Sequence, residues 1–267
     1  MINDKIVYSK EFVYFLGFLW SDGFIERKRT ILEIVEDDAL DIINDIKKID
    51  FLNVCTMRRS RKGRKPQMSI YFCNVNFYET FQSIYFQNKS VNSPCKLIAD
   101  LPAEFVRYFY LGLIDGDGCF YMKNTTKQFY VTSSYEQNWQ HIVSLFDKIG
   151  IKQYEIRRII VKNGNKSSYI RIKKYNEIKR LYEYLYPNGI EIGLRRKYKK
   201  CKEIIDNQPK HESNKSKIEK ELLISKIQSG KNILDISKDF ECSWRKIYNF
   251  CKSNQIKYNK GFFKGVI

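Results

Sequence analysis

The chain has 267 residues, 43% of them apolar and 15% aromatic, which excludes a disordered polymer and allows one large core or two smaller ones. Forty-eight lysines and arginines against thirty acidic residues give a formal charge of +18, which points to a polyanionic partner, nucleic acid first. Seven cysteines without a C-x-x-C pair, and only His141 and His211, argue against disulfides, structural zinc and multi-histidine chemistry, so any hydrolysis would rest on carboxylates and a hard metal ion.

In chain order, Phe12–Trp20 is the longest apolar run, too short to span a bilayer, and Met1–Lys5 does not read as a signal peptide. A cytoplasmic, intracellular protein with no membrane partner is expected; a start on Met1 and an end without His-Asn argue against an intein. The segment Phe12–Phe24 (FVYFLGFLWSDGF) recurs as Phe105–Phe120 (FVRYFYLGLIDGDGCF), with Asp22 and Asp117 in register. Each predicts an apolar helix of about three turns, ended by a glycine suited to the left-handed conformation. Alternation over 24–35 and 119–132 predicts two short strands in each copy, and helices are expected at 39–48 and 137–149. Second hairpins follow: 54–59 and 68–73 around Lys62-Gly63-Arg64, then 156–161 and 169–173 around Asn163-Gly164-Asn165. A helix should close each unit, at 77–86 and 177–186. The expected architecture is therefore α+β, a tandem pair of αββαββα halves over 1–100 and 101–206. Residues 207–217 (NQPKHESNKSK) read as a linker. Three short helices, at 218–228, 233–240 and 243–253, then predict a small all-α helix-turn-helix module within 218–267. Residues 207–267 carry a net +7 and the first 206 carry +11.

Small residues stand four apart before each aspartate, Gly17 and Ser21, Gly112 and Gly116, which places them on one helix face where two helices can approach closely. Packed through those faces, the helices would bring Asp22 and Asp117 side by side at one end. Each carboxylate would then lie at the negative pole of its own helix, at a cost of about 0.3–1 kcal/mol even when exposed, and each would raise the pKa of the other. A divalent cation between them reverses both effects, and Mg²⁺ suits oxygen donors. Such a metal beside a basic surface can cleave phosphodiesters.

Residues Phe15–Gly23 (FLGFLWSDG) and Tyr110–Gly118 (YLGLIDGDG) resemble the signature nonapeptide of LAGLIDADG homing endonucleases in their two-motif, single-chain form. The resemblance covers residues 9 to about 205. It implies that the motif helices form the interface of the two halves. It also implies that Asp22 and Asp117 bind catalytic Mg²⁺ (Mn²⁺ substituting, Ca²⁺ supporting binding without cleavage), with the main-chain carbonyls of Ser21 and Gly116 contributing. Trp20 replaces the sixth-position aspartate, a carboxylate on which the family's catalysis does not rest. Basic catalytic residues are expected after the second hairpins, at Lys96 and at Lys197, with Arg195 an alternative for the second.

The strands supply a surface for duplex DNA. In Tyr169–Lys173 the isoleucines point one way, Tyr169, Arg171 and Lys173 the other, as a half-buried sheet in a major groove requires. Arg58, Arg59, Arg61, Gln67, Lys123, Gln128, Arg157 and Arg158 lie on similar stretches; each alone is equally a solubilising charge. In the C-terminal module Ser243, Arg245, Lys246 and Asn249 are candidate groove contacts, linked flexibly enough to add avidity. The sequence thus leads to a monomeric, metal-dependent, site-specific double-strand endonuclease, phage-encoded, bacterial or organellar. An intron maturase and a catalytically silent DNA-binding regulator are the alternatives.

Overall fold

The computed structural model describes residues 7–26, 28–60, 63, 65–160, 164–207, 218–258 and 262. The chain divides into two compact units, Met1–Gln208 and Pro209–Ile267. The linker read at 207–217 lies, beyond Asn207, outside the described residues, as do Arg61, Lys62, Arg64 and Asn163. Among the described residues no helix is long and apolar enough to cross a membrane.

The larger unit is a mixed α+β fold that repeats one pattern. Helix α1 (Lys10–Asp22) starts at Ser9, whose hydroxyl accepts from the Phe12 N–H at 3.1 Å, and its residues 12–20 are all buried. Strands β1 (Gly23–Glu26) and β2 (Arg29–Val35), helix α2 (Glu36–Ile46), and strands β3 (Cys55–Arg59) and β4 (Gln67–Phe72) follow. They form an antiparallel sheet of order β1-β2-β4-β3. The second half repeats this with α5 (Val106–Asp117), β5 (Gly118–Lys123), β6 (Thr126–Ser133), α6 (Gln140–Lys148), β7 (Glu155–Ile160) and β8 (Lys166–Ile172), in a sheet of order β5-β6-β8-β7. Each sheet lays one face on a continuous core that includes Leu32, Ile70 and Phe72 from the first and Phe129, Val131 and Ile170 from the second.

Helices α1 and α5 pack together through their small residues. A methyl group on Gly17 would lie 1.9 Å from the Phe109 carbonyl oxygen, and one on Gly112 would lie 2.0 Å from that of Tyr14. Only hydrogen fits at either place, so the backbones themselves form the contact. Gly23 and Gly118, by contrast, are not left-handed as the sequence suggested. Both are extended (φ −72° and −83°), because the chain runs straight from helix into strand. Glycine is needed there for space, since a Cβ would meet the Leu19 or Ile114 carbonyl at 2.5 or 2.6 Å.

The halves close differently. Where a regular helix was expected over 77–86, one helical turn, α3 (Val75–Phe77), widens into a π-type turn over Tyr78–Gln82 and then into irregular turns that lead to a short α4 (Cys95–Asp100). Aromatic residues predominate here, and the Ser83 hydroxyl bonds back to the Glu79 carbonyl at 2.5 Å, which competes with the helical ladder. In the second half α7 (Tyr175–Leu185) is regular, and an unpredicted helix, α8 (Arg195–Asp206), follows it.

The smaller unit is three helices, α9 (Lys220–Gln228), α10 (Ile233–Asp239) and α11 (Trp244–Ser253), around Leu223, Ile227, Ile233, Ile236, Phe240, Ile247 and Cys251. Asn232 caps α10 through the Leu234 and Asp235 N–H groups, and Glu241 turns the chain at φ +46° ahead of Ser243.

Candidate active site and nucleic-acid face

Asp22 and Asp117 are the last residues of α1 and α5, and they meet. A Cβ on Gly116 would lie 1.8 Å from the Ser21 Oγ and 3.0 Å from Asp22 Oδ2, so the first half's carboxylate lies against the glycine that precedes the second. Burial raises the pKa of Asp117 to about 7, with the Asp22 charge adding to the rise. Asp22 reaches solvent, yet the protein packed beneath it removes enough water to raise its pKa too, against the pull of Lys197 and Lys89.

Those two lysines do matching work. The Lys89 ammonium donates to the carbonyls of Leu19 (3.0 Å), Trp20 (2.9 Å), Ser21 (3.2 Å) and Gly23. Lys197 donates to those of Ile114 (2.9 Å), Asp115, Gly116 (3.1 Å) and Gly118 (2.7 Å). Counted from the two aspartates, these are the same four carbonyls in each half. Three of each set belong to the last turn of the motif helix and the fourth to the first strand residue after it; the Leu19 and Ile114 carbonyls also accept the Gly23 and Gly118 N–H groups, and a cation there sits at the helix's negative pole. Burial lowers the pKa of both ammonium groups, that of Lys89 to about 8.

Of the two lysines that the resemblance implied, Lys197 lies beside the aspartates and Lys96 does not. It lies exposed over the Tyr85 ring, 5.8 Å from its centroid, and the cations that act on both carboxylates are Lys89 and Lys197. Arg195 is turned to the first half instead, its N–H on Asp41 at 2.9 Å, while Arg196 holds Asp38 through two bonds of 2.6 and 2.7 Å. A shared signal precedes both lysines in the sequence: a bulky apolar residue three positions earlier, Phe86 before Lys89 and Leu194 before Lys197.

Two carboxylates with raised pKa values and hard oxygen atoms fit a divalent cation. Among the described residues no group of three or more His, Cys, Asp or Glu comes together. The Ser21 and Gly116 carbonyls each accept from a lysine already and each retain a second lone pair. Beside Asp117 a cavity of about 240 Å³ is lined by Trp20, Lys89, Gln137, Trp139 and His141 among others. Burial pushes His141 down to about 4, which keeps it neutral.

Each sheet begins at the residue after its aspartate, and register decides which basic side chains share the open face. Pairs two apart share a face. In the first sheet Arg59 and Gln67 pair with each other on the open face, near Glu33, which approaches Arg59 at 3.5 Å. Arg58 pairs with Met68 on the helix side and binds Glu36 at 2.8 Å. In the second sheet Lys123, Gln128, Arg157 and Arg171 are on the open face, with Arg171 stacked 5.0 Å from the Tyr169 centroid. Arg158 is turned to the helix side with Ser168 and donates to the Tyr135 carbonyl at 2.9 Å. Arg58 and Arg158 therefore do not join the face assigned to them, because adjacent strand residues point opposite ways. Glu155 gathers the open-face cations Arg171, Arg157 (3.0 Å) and Lys173 (3.2 Å), a carboxylate the sequence reading did not single out.

In the smaller unit Ser243 and Asn249 are exposed, Lys246 is half-buried, and Arg245 is exposed over the Trp244 ring at 5.4 Å. Arg245, Asn249 and Lys252 share one face of α11.

Residues 104–186, the second repeat, match the LAGLIDADG-like domain family. No curated protein sequence matches the chain. Among solved structures the chain is similar to the homing endonuclease I-WcaI bound to its DNA recognition sequence, at 15% identity and a TM-score of 0.48, over 70% of this chain and 85% of that one. It is also similar to full-length DUF199/WhiA from Thermatoga maritima, at 12% identity and 0.47, over 94% and 92%. A third is I-DmoI in complex with DNA and Mn, at 16% identity and 0.43, over 66% and 96%.

Proposed function

We propose that the chain is a site-specific DNA endonuclease of the LAGLIDADG homing type, acting as a monomer on duplex DNA with Mg²⁺, for which Mn²⁺ substitutes. The observation that carries this reading is the meeting of Asp22 and Asp117 from opposite halves, each at a helix end closed by a lysine. Asp22 and Asp117 hold the cation, which when bound supplies charge neutralisation at the phosphate and a more acidic water. Lys89 and Lys197 fix the two helix ends and keep positive charge beside the phosphate. The cleaved strand gains a water oxygen at phosphorus and releases the sugar oxygen as a hydroxyl. The open sheet faces, with Arg59, Gln67, Lys123, Gln128, Arg157 and Arg171, contact the groove, where arginine suits guanine and glutamine suits adenine. The three-helix unit adds a second contact through Arg245 and Asn249, and through Ser243 and Lys246 beside them.

Selection of cut sites from a randomised duplex library in Mg²⁺ tests the reading. The wild-type chain should release both strands at one long site. Asp117→Asn should release neither while binding that site in Ca²⁺ within a few-fold of wild type. Unchanged cutting by Asp117→Asn would remove the assigned mechanism. Protection of a site without scission in Mg²⁺ or Mn²⁺ would make the chain a silent regulator, and stimulation of intron splicing alone would make it a maturase.

A further inference from the structure

Two residues before each aspartate the motif helices differ, Trp20 in the first half against Asp115 in the second, and both are buried. The Trp20 indole meets the Phe86 ring, with centroids 5.3 Å apart, and Lys89 stands three residues further on. Asp115 Oδ2 accepts the Leu194 N–H at 2.8 Å, and Lys197 again stands three residues further on. The same oxygen accepts the Tyr14 O–H, at 2.8 Å, from the other motif helix. Gly193, at φ +114°, leaves the room this needs, since a Cβ there would lie 2.7 Å from that oxygen. The other oxygen of Asp115, Oδ1, has no hydrogen-bond partner. A carboxylate only 1% exposed with one bare oxygen costs stability, so its contribution lies in what the bonded oxygen holds.

We infer that Trp20 and Asp115 are positioning residues, each setting the segment that places the lysine over its own half's helix end: Trp20 through Phe86 for Lys89, Asp115 through Leu194 for Lys197. The two links differ in kind. A hydrogen bond fixes a distance and a direction, whereas a tilted ring contact tolerates small rotations. The kinetic consequence rests on the endonuclease reading above; the structural one does not.

The test compares Trp20→Leu and Asp115→Ala in the full chain by amide hydrogen exchange and by strand-resolved nicking. In Asp115→Ala the amides of 194–198 should lose protection while those of 86–92 keep it, and Trp20→Leu should do the reverse. The ratio of the two strands' nicking rates should shift in opposite directions in the two variants, by on the order of tenfold each. Trp20→Phe and Asp115→Asn, which keep a ring and an acceptor oxygen, should stay near wild type in both measurements. Should Asp115→Ala not fold, Asp115→Leu fills the space without an acceptor. Loss of protection in both segments together, or equal slowing of both strands, would overturn the assignment. A wild-type chain that cuts nothing while exchange remains specific to one half would remove the endonuclease reading and uphold the positioning role.

Discussion

The two halves close the same four carbonyls with a lysine by different routes. In the second half Lys197 rides on a regular helix, α8, whose first residues are fastened to the other half through Arg196 and Asp38 and whose entry is held by Asp115. In the first half Lys89 comes from irregular turns beyond a π-type turn, steadied by the Trp20–Phe86 contact. What the repeats share is therefore charge at a helix end and contact between backbones. Secondary structure around the lysine is not shared, and neither is the chain distance from aspartate to lysine.

The largest expected effect tests the shared part. Gly17→Ala and Gly112→Ala each drive a methyl into a carbonyl oxygen of the facing helix, so each should cost about 3 kcal/mol in urea unfolding, near the upper end for overpacking. Equal losses would support a symmetric interface; a loss at only one would show that the two helix faces are not equivalent. A smaller effect should expose the difference between the halves. Lys197→Met removes the ammonium shared by the carbonyls of Ile114, Asp115, Gly116 and Gly118, on a lysine carried by a regular helix, and should cost about 3 kcal/mol, against about 1–2 kcal/mol for Lys89→Met, whose more solvated turns can readjust. The same unfolding measurement on both variants decides it, and a reversed order would show that the first half's turns hold their lysine more rigidly than α8 does.

Much of this was legible in the sequence, and the failures share a cause. The motif helices, the alternating strands and the small residues at four-residue spacing follow from period alone, and the convergence of the two aspartates was expected on the condition that the helices pack through those small residues. Features set by tertiary contact were not visible. The stripe on α8 that packs inward is Lys197, Cys201 and Ile204, a helical spacing disguised by a lysine in an apolar position. Lys96 was expected only from the family resemblance, which places a basic residue after the second hairpin, and the widened turn over Tyr78–Gln82 with the irregular turns beyond it brings the earlier Lys89 to the site instead. Arg58 and Arg158 were grouped with their neighbours because strand register is needed to separate adjacent residues. Gly23 and Gly118 resembled left-handed helix ends, and only the straight passage into a strand shows that space and not φ selects glycine.

Two carboxylates from opposite halves share one small region, and carboxyl-carbon NMR titration of the metal-free chain probes that proximity. Asp117 should titrate near 7, well above an ordinary aspartate, because burial and the Asp22 charge both oppose its ionisation. Asp22→Asn removes the second cause and leaves the first, so the Asp117 value should fall while remaining above the ordinary aspartate range. An Asp117 that titrates like an exposed aspartate, or one indifferent to Asp22→Asn, would show that the two do not meet.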